Sequence, residues 1–126
     1  MTETIKKILL IEDDNDQALM YKLPFELDGF DIMNEPGGVD GLAKAVGWHP
    51  DLILLDVLME GMDGMEVLKQ LKQNKHTKNI PVVMLTNISS SAKGEESEKL
   101  GAAGYFEKTK IMPKELVAKC KKVLGI

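Results

Sequence analysis

The stretch "DLILLDVLMEGMDG", Asp51 to Gly64, places one carboxylate at the end of an apolar run. No polar residue alternates through Leu52 to Leu55, so they read as a strand buried on both faces, the habit of a central strand in a parallel sheet. Burying a charge is costly unless something pairs with it. Asp56, delivered at the tip of that strand, therefore needs partners from elsewhere in the chain.

Strands and helices alternate on either side of this run. Lys7 to Ile11 is rich in Ile and Leu and reads as the first strand. The helical segment after it has Leu19, Leu23 and Leu27 spaced four apart, with Gly29 as a stop, and Pro24 inside it predicts a kink or a shortened helix. Phe30 to Met33 is a second strand, closed by Pro36-Gly37-Gly38. Val39, Leu42, Ala43 and Val46 mark a second helix, which Pro50 ends before Leu52 to Leu55. Met65, Leu68 and Leu71 mark a third helix that runs into a polar loop, Asn74 to Asn79. Pro81 to Thr86 is a fourth strand, and "NISSSAKGEES" opens a fourth helix that ends near Gly101. Gly104 to Lys108 is a fifth strand. Pro113 sits where a first-turn proline belongs, before a last helix lined by Leu116, Val117, Cys120, Val123 and Leu124. Five strands alternating with five helices predict an α/β fold with a parallel sheet covered on both faces.

Bulk properties bound the class. The 126 residues suit one domain, expected over 1–126 with its core at about 7–124, and no linker or repeat marks a second. Charged residues make up 29% and hydrophobic ones 44%, ordinary for a soluble globule, and a net charge of -4 argues mildly against direct nucleic-acid binding. Cys120 is the single cysteine, which excludes an internal disulfide and fits a reducing compartment. No apolar stretch is long enough to span a bilayer and no signal peptide is visible, so a cytoplasmic location without membrane contact is expected.

In a parallel sheet the carboxyl ends of all strands emerge on one edge, where ligands bind. Those ends are Glu12-Asp13-Asp14, Asp56, Thr86 and Lys108. Two carboxylates about 4 Å apart repel by roughly 4 kcal/mol at an effective dielectric near 20, so the acids need a cation, a shared proton or separation. Magnesium suits them, held by one or two carboxylates with waters and phosphate oxygens. Lys108 adds a second positive charge and the Thr86 hydroxyl a hydrogen-bond donor. These are the parts of a phosphoryl-transfer site, and a carboxylate can itself be the acceptor. Asp56 is read as that nucleophile.

The runs "ILLIEDD", "LILLDVLMEGMDG", "VVMLT" and "GAAGYFEK" resemble the response-regulator receiver domains of two-component signalling, in order, spacing and place on each strand. The resemblance covers roughly Lys7 to Leu124 and implies a doubly wound, flavodoxin-like sheet of order 2-1-3-4-5 with five helices. It implies that Asp56 is the phosphoacceptor, that Asp13 ligates Mg2+ directly, that Glu12 acts through water, and that Leu58 supplies a backbone carbonyl. Thr86 matches the switch hydroxyl, Lys108 the lysine on the phosphoryl oxygens, and Tyr105 the aromatic that changes rotamer. Leu58 and Ile88 occupy the positions that flank the water in dephosphorylation, and being apolar they imply a slow loss of the phosphoryl group. Three residues depart from the family pattern: Glu60 and Thr109 stand where proline is usual, and Asn87 where a small residue is usual.

The implied function is a phosphoacceptor receiver in a phosphorelay. It takes its phosphoryl group from a histidine kinase or histidine phosphotransfer protein and switches the face of the fourth helix, fifth strand and fifth helix for a downstream protein. Such a chain is not an enzyme beyond its own phosphorylation and slow dephosphorylation, and is a monomer or a phosphorylation-linked dimer. The rival within the fold is a binding module that signals without phosphorylation. A flavin or nucleotide protein would want a phosphate-cradling loop where "EDDND" stands, and an aspartate phosphatase would want an acid where Leu58 stands. Other residues have plainer readings. Asp14, Asn15 and Asp16 cap the first helix; Met59, Met62, Met65, Met84 and Cys120 are packing. His49 and His76 are solvated bystanders, and Lys69, Lys72, Lys75 and Lys78 form a solvated face, as do Lys119, Lys121 and Lys122.

Overall fold

The computed structural model of the chain describes residues 4–126. Its elements follow the order β1 (Lys7–Ile11), α1 (Asn15–Leu27), β2 (Asp31–Glu35), α2 (Gly38–Trp48), β3 (Leu52–Leu55), α3 (Gly64–Gln73), β4 (Val82–Thr86), α4 (Ser91–Lys99), β5 (Gly104–Glu107) and α5 (Pro113–Leu124). All five strands are parallel, in the order β2-β1-β3-β4-β5, the expected doubly wound arrangement. Among the described residues no helix is long and apolar enough to cross a membrane.

The three central strands carry the apolar runs without alternation because both of their faces are covered. Ile8, Leu10, Leu52, Leu54, Val83 and Leu85 point to the layer of α1 and α5; Leu9, Ile11, Ile53, Leu55, Val82 and Met84 point to the layer of α2 and α3. Met65, Leu68 and Leu71 bury on α3, and Leu116, Val117 and Cys120 on α5, as their spacing predicts. The methionines pack as expected: Met65 and Met84 are buried, and Met59 and Met62 lie against the same core.

Two helices turn a different face inward. On α1 the spaced leucines are outside, with Leu19 66%, Leu23 57% and Leu27 81% exposed, while Ala18, Tyr21 and Phe25 meet the sheet. The aromatic rings bury more area than leucine and lock together, Phe25 edge-on to Phe30 with centroids 5.6 Å apart, which sets the rotation of the helix. On α2 the buried face is Gly38, Gly41 and Ala45, and Val39 and Ala43 face outward. This helix lies so close to β1 that a Cβ on Gly41 would stand 2.6 Å from Ile11 Cδ1. Closeness therefore outweighs apolarity in choosing its inner residues.

Smaller differences lie at the ends. Pro24 does not stop α1, which continues to Leu27. Lys108 lies just past β5, opening a 3-10 turn over Lys108–Lys110. Lys72 leaves the solvated face expected of it: its ammonium donates to the carbonyls of Ile80 at 2.8 Å and Lys78 at 3.2 Å, tying the loop after α3 to the helix. His49 and His76 are exposed.

Candidate functional site

Strand register brings the acids together. Ile11 pairs with Leu55, so Glu12 and Asp56, the residues next after each strand, emerge side by side, and the Asp56 amide donates to the Ile11 carbonyl at 3.1 Å. Glu12 is 1% exposed and Asp56 7%, whereas Asp13 faces outward. Carboxylate oxygens of Glu12, Asp13 and Asp56 all lie within 4.8 Å of one another. Backbone amides orient two of them: the Leu58 N–H donates to Asp56 Oδ1 and the Glu60 N–H to Asp13 Oδ2, both at 3.2 Å. Glu60 thus contributes through its backbone, which a proline there could not do.

Lys108 enters the same pocket from beyond β5, its side chain 6% exposed. Its ammonium donates to Glu12 Oε1, to Gln17 Oε1 at 2.6 Å and to Asp56 Oδ2 at 3.3 Å. Burial alone would push this lysine down, but Glu12 and Asp56 outweigh it and hold the ammonium above its ordinary range. Burial pushes the Glu12 carboxyl up to about 7 against the pull of Lys108, with Asp56 adding to the rise. Three clustered carboxyl groups, two of them on the Lys108 ammonium, leave an excess of negative charge on hard oxygen donors, and a small divalent cation fits that donor set.

Thr86 is fully buried at the end of β4, and its hydroxyl oxygen accepts from the Ile88 N–H at 3.2 Å. The half-buried Tyr105 ring on β5 sends its hydroxyl to the Ile88 carbonyl at 3.0 Å. Thr86 and Tyr105 therefore grip one loop residue from two strands. Leu58 is 60% exposed beside Asp56, and Ile88 is half-buried. Every peptide bond among the described residues is trans, Lys108–Thr109 included.

Reading the sequence missed three residues here. Gln17 shows only the spacing of a helix start, with no sign of its target across the sheet. Asn34 on β2 donates to the Glu12 carbonyl at 3.3 Å, so the second strand does contribute at this edge. Gly64 supports Asp56 from behind: a Cβ there would stand 2.0 Å from the Asp56 carbonyl oxygen, and its own N–H donates to the Val57 carbonyl at 2.9 Å.

A family model for the response regulator receiver domain matches residues 8–121. The chain belongs to that family. Among its relatives, the phosphate regulon transcriptional regulatory protein PhoB of Pseudomonas aeruginosa is 36% identical over 124 residues, covering 94% of this chain and 52% of that protein. The receiver spans about half the length of the curated relatives it matches. A putative response regulator from Chloroflexus aurantiacus superposes with a TM-score of 0.90 at 28% identity, covering 98% of this chain and all of that one. The BeF3-activated N-terminal receiver domain of RstA from Klebsiella pneumoniae superposes with a TM-score of 0.87 at 28% identity, covering 94% and 98%. The receiver of two-component signalling thus accounts for the fold and for the acidic edge together.

Proposed function

We propose that this receiver accepts a phosphoryl group on Asp56 from a phosphohistidine donor, a histidine kinase or a histidine phosphotransfer protein, and passes the change to a downstream protein. One observation carries the reading: Asp56 projects into a pocket where two further carboxylates and the Lys108 ammonium converge on it. Phosphoryl transfer asks a protein mainly for positioning and charge compensation, and this edge supplies both. That a similar receiver is described as BeF3-activated supports it, because fluoroberyllate on a carboxylate stands in for a phosphoryl group.

Asp13, Asp56 and the Leu58 carbonyl would hold Mg2+, with Glu12 acting through water. Bound there, the ion would neutralise oxygens of the transferred group. In the reaction itself the bond from phosphorus to the donor nitrogen breaks and a bond to an Asp56 carboxylate oxygen forms, giving an acyl phosphate. The Leu58 N–H steadies the carboxylate, and Lys108 meets charge on the phosphoryl oxygens. The Thr86 hydroxyl donates to one of those oxygens, which disturbs the Ile88 loop it shares with Tyr105 and so alters the face of α4, β5 and α5. A partner protein reads that face.

The test is intact-mass analysis after exposure to acetyl phosphate, with and without magnesium. Wild type gains one magnesium-dependent phosphoryl adduct mapped to Asp56, and Asp56→Asn gains none. An adduct on a neighbouring acid in Asp56→Asn, formed as readily as in wild type, would overturn the assignment.

A further inference from the structure

We propose that Gln17 is a positioning residue for this transfer, holding the Lys108 ammonium at the angle from which it serves a phosphoryl group on Asp56. The inference rests on the reading of Asp56 as phosphoacceptor.

A lysine ammonium has three N–H donors and no acceptor. Lys108 meets three side-chain acceptors: Glu12, Gln17 at 2.6 Å and Asp56 at 3.3 Å. The Asp56 contact is the longest and is the one that phosphorylation changes, because that carboxylate becomes part of an acyl phosphate. With Glu12 and Gln17 holding two donors, the direction of the third is set before the phosphoryl group arrives. Holding by Glu12 alone would leave the ammonium free to swing about a single bond.

Gln17 reaches Lys108 against its local preference. It is the third residue of α1 after the N-cap Asp14, whose carboxylate accepts from the Gln17 N–H at 3.1 Å. A glutamate or glutamine at that place ordinarily turns back to the N–H of the cap residue. Glu115 does this in α5, accepting from the Met112 N–H at 3.0 Å. Gln17 instead sends its carboxamide oxygen to a residue 91 positions away. The neutrality of the amide also matters, because a charged acceptor would put a third carboxylate on one ammonium.

The experiment measures magnesium-dependent labelling of Asp56 by acetyl phosphate in wild type, Gln17→Met, Lys108→Met and the double variant. Methionine keeps the length of glutamine and removes the acceptor. Gln17→Met should label about tenfold more slowly, a fraction of the roughly hundredfold that a full ångström of misplacement can cost. In the Lys108→Met background the same change should alter the rate less than about twofold, since Gln17 acts through the lysine. Magnesium affinity by calorimetry and the urea midpoint should stay at the values of the parent. A Gln17→Met rate equal to or above that of wild type, equal slowing in both backgrounds, or a loss of magnesium affinity matching the rate loss would each overturn the role. Failure of wild type itself to label would overturn the phosphoacceptor reading and this inference with it, whereas normal labelling of Gln17→Met removes this inference alone.

Discussion

Replacing Gly64 with alanine tests how rigidly Asp56 is held. Gly64 is the first residue of α3, after the N-cap Asp63, and its N–H donates to the Val57 carbonyl at 2.9 Å. An added Cβ would stand 2.0 Å from the Asp56 carbonyl oxygen and 2.7 Å from the Val57 Cα. Both are backbone atoms, so no side chain can rotate away, and the contact opens only if α3 or the segment after β3 moves by about an ångström. Overpacking a tight interior typically costs about 1–3 kcal/mol, and a clash with backbone belongs at the upper end. At about 4 °C per kcal/mol for a domain of this size, Gly64→Ala should melt roughly 10 °C below wild type. Urea and thermal unfolding followed by circular dichroism give the number, and the labelling rate of Asp56 should fall with it. The control is Gly47→Ala, in α2 with open space around it, where alanine should add roughly 0.5–1 kcal/mol through helix propensity. A Gly64→Ala stability within about 0.5 kcal/mol of wild type, the margin of an ordinary surface change, would refute the reasoning.

Two further outcomes follow from other parts of the molecule. Burial pushes the Cys120 thiol up to about 12, whereas an unfolded cysteine titrates near 8.5, so the folded state keeps the proton longer. That stability is fully present below about pH 8.5 and declines as pH rises toward the folded value, on the order of 1 kcal/mol per pH unit. Urea midpoints between about pH 8 and 10 should therefore fall more steeply in wild type than in Cys120→Val, and identical slopes would contradict the assignment. At the proposed phosphoryl site, the side chains of Leu58 and Ile88 could not hydrogen-bond a water in line with phosphorus, so loss of the phosphoryl group should be slow. Leu58→Asn/Ile88→Glu should speed that loss by roughly tenfold in a label-decay assay, and an unchanged or slower rate with magnesium binding intact would reject the idea.

The strands and the acidic edge were legible because their signals are local. Leu52 to Leu55 can be buried on both faces only in mid-sheet, and a parallel sheet must deliver Glu12, Asp56, Thr86 and Lys108 to one edge whatever the details of packing. The rotation of a helix is a different kind of quantity. On α1 two stripes compete, Leu19-Leu23-Leu27 and Ala18-Tyr21-Phe25, and hydrophobic spacing permits either. The choice depends on which set fills the space over β1 and β3 and against Phe30 and α5, a property of the assembled layers. The same holds for α2, whose inner face is glycine and alanine because of an approach distance that no run of residues encodes. Gln17 and Gly64 belong with these. Their chain neighbours predict a helix cap and a turn, while their partners lie on segments brought near only by folding. The amino-acid sequence by itself determined the strands, their order of chemistry and the family. The tertiary structure decided which helix faces are inside and what holds Lys108 and Asp56 in place, because those depend on distances between elements remote in the chain.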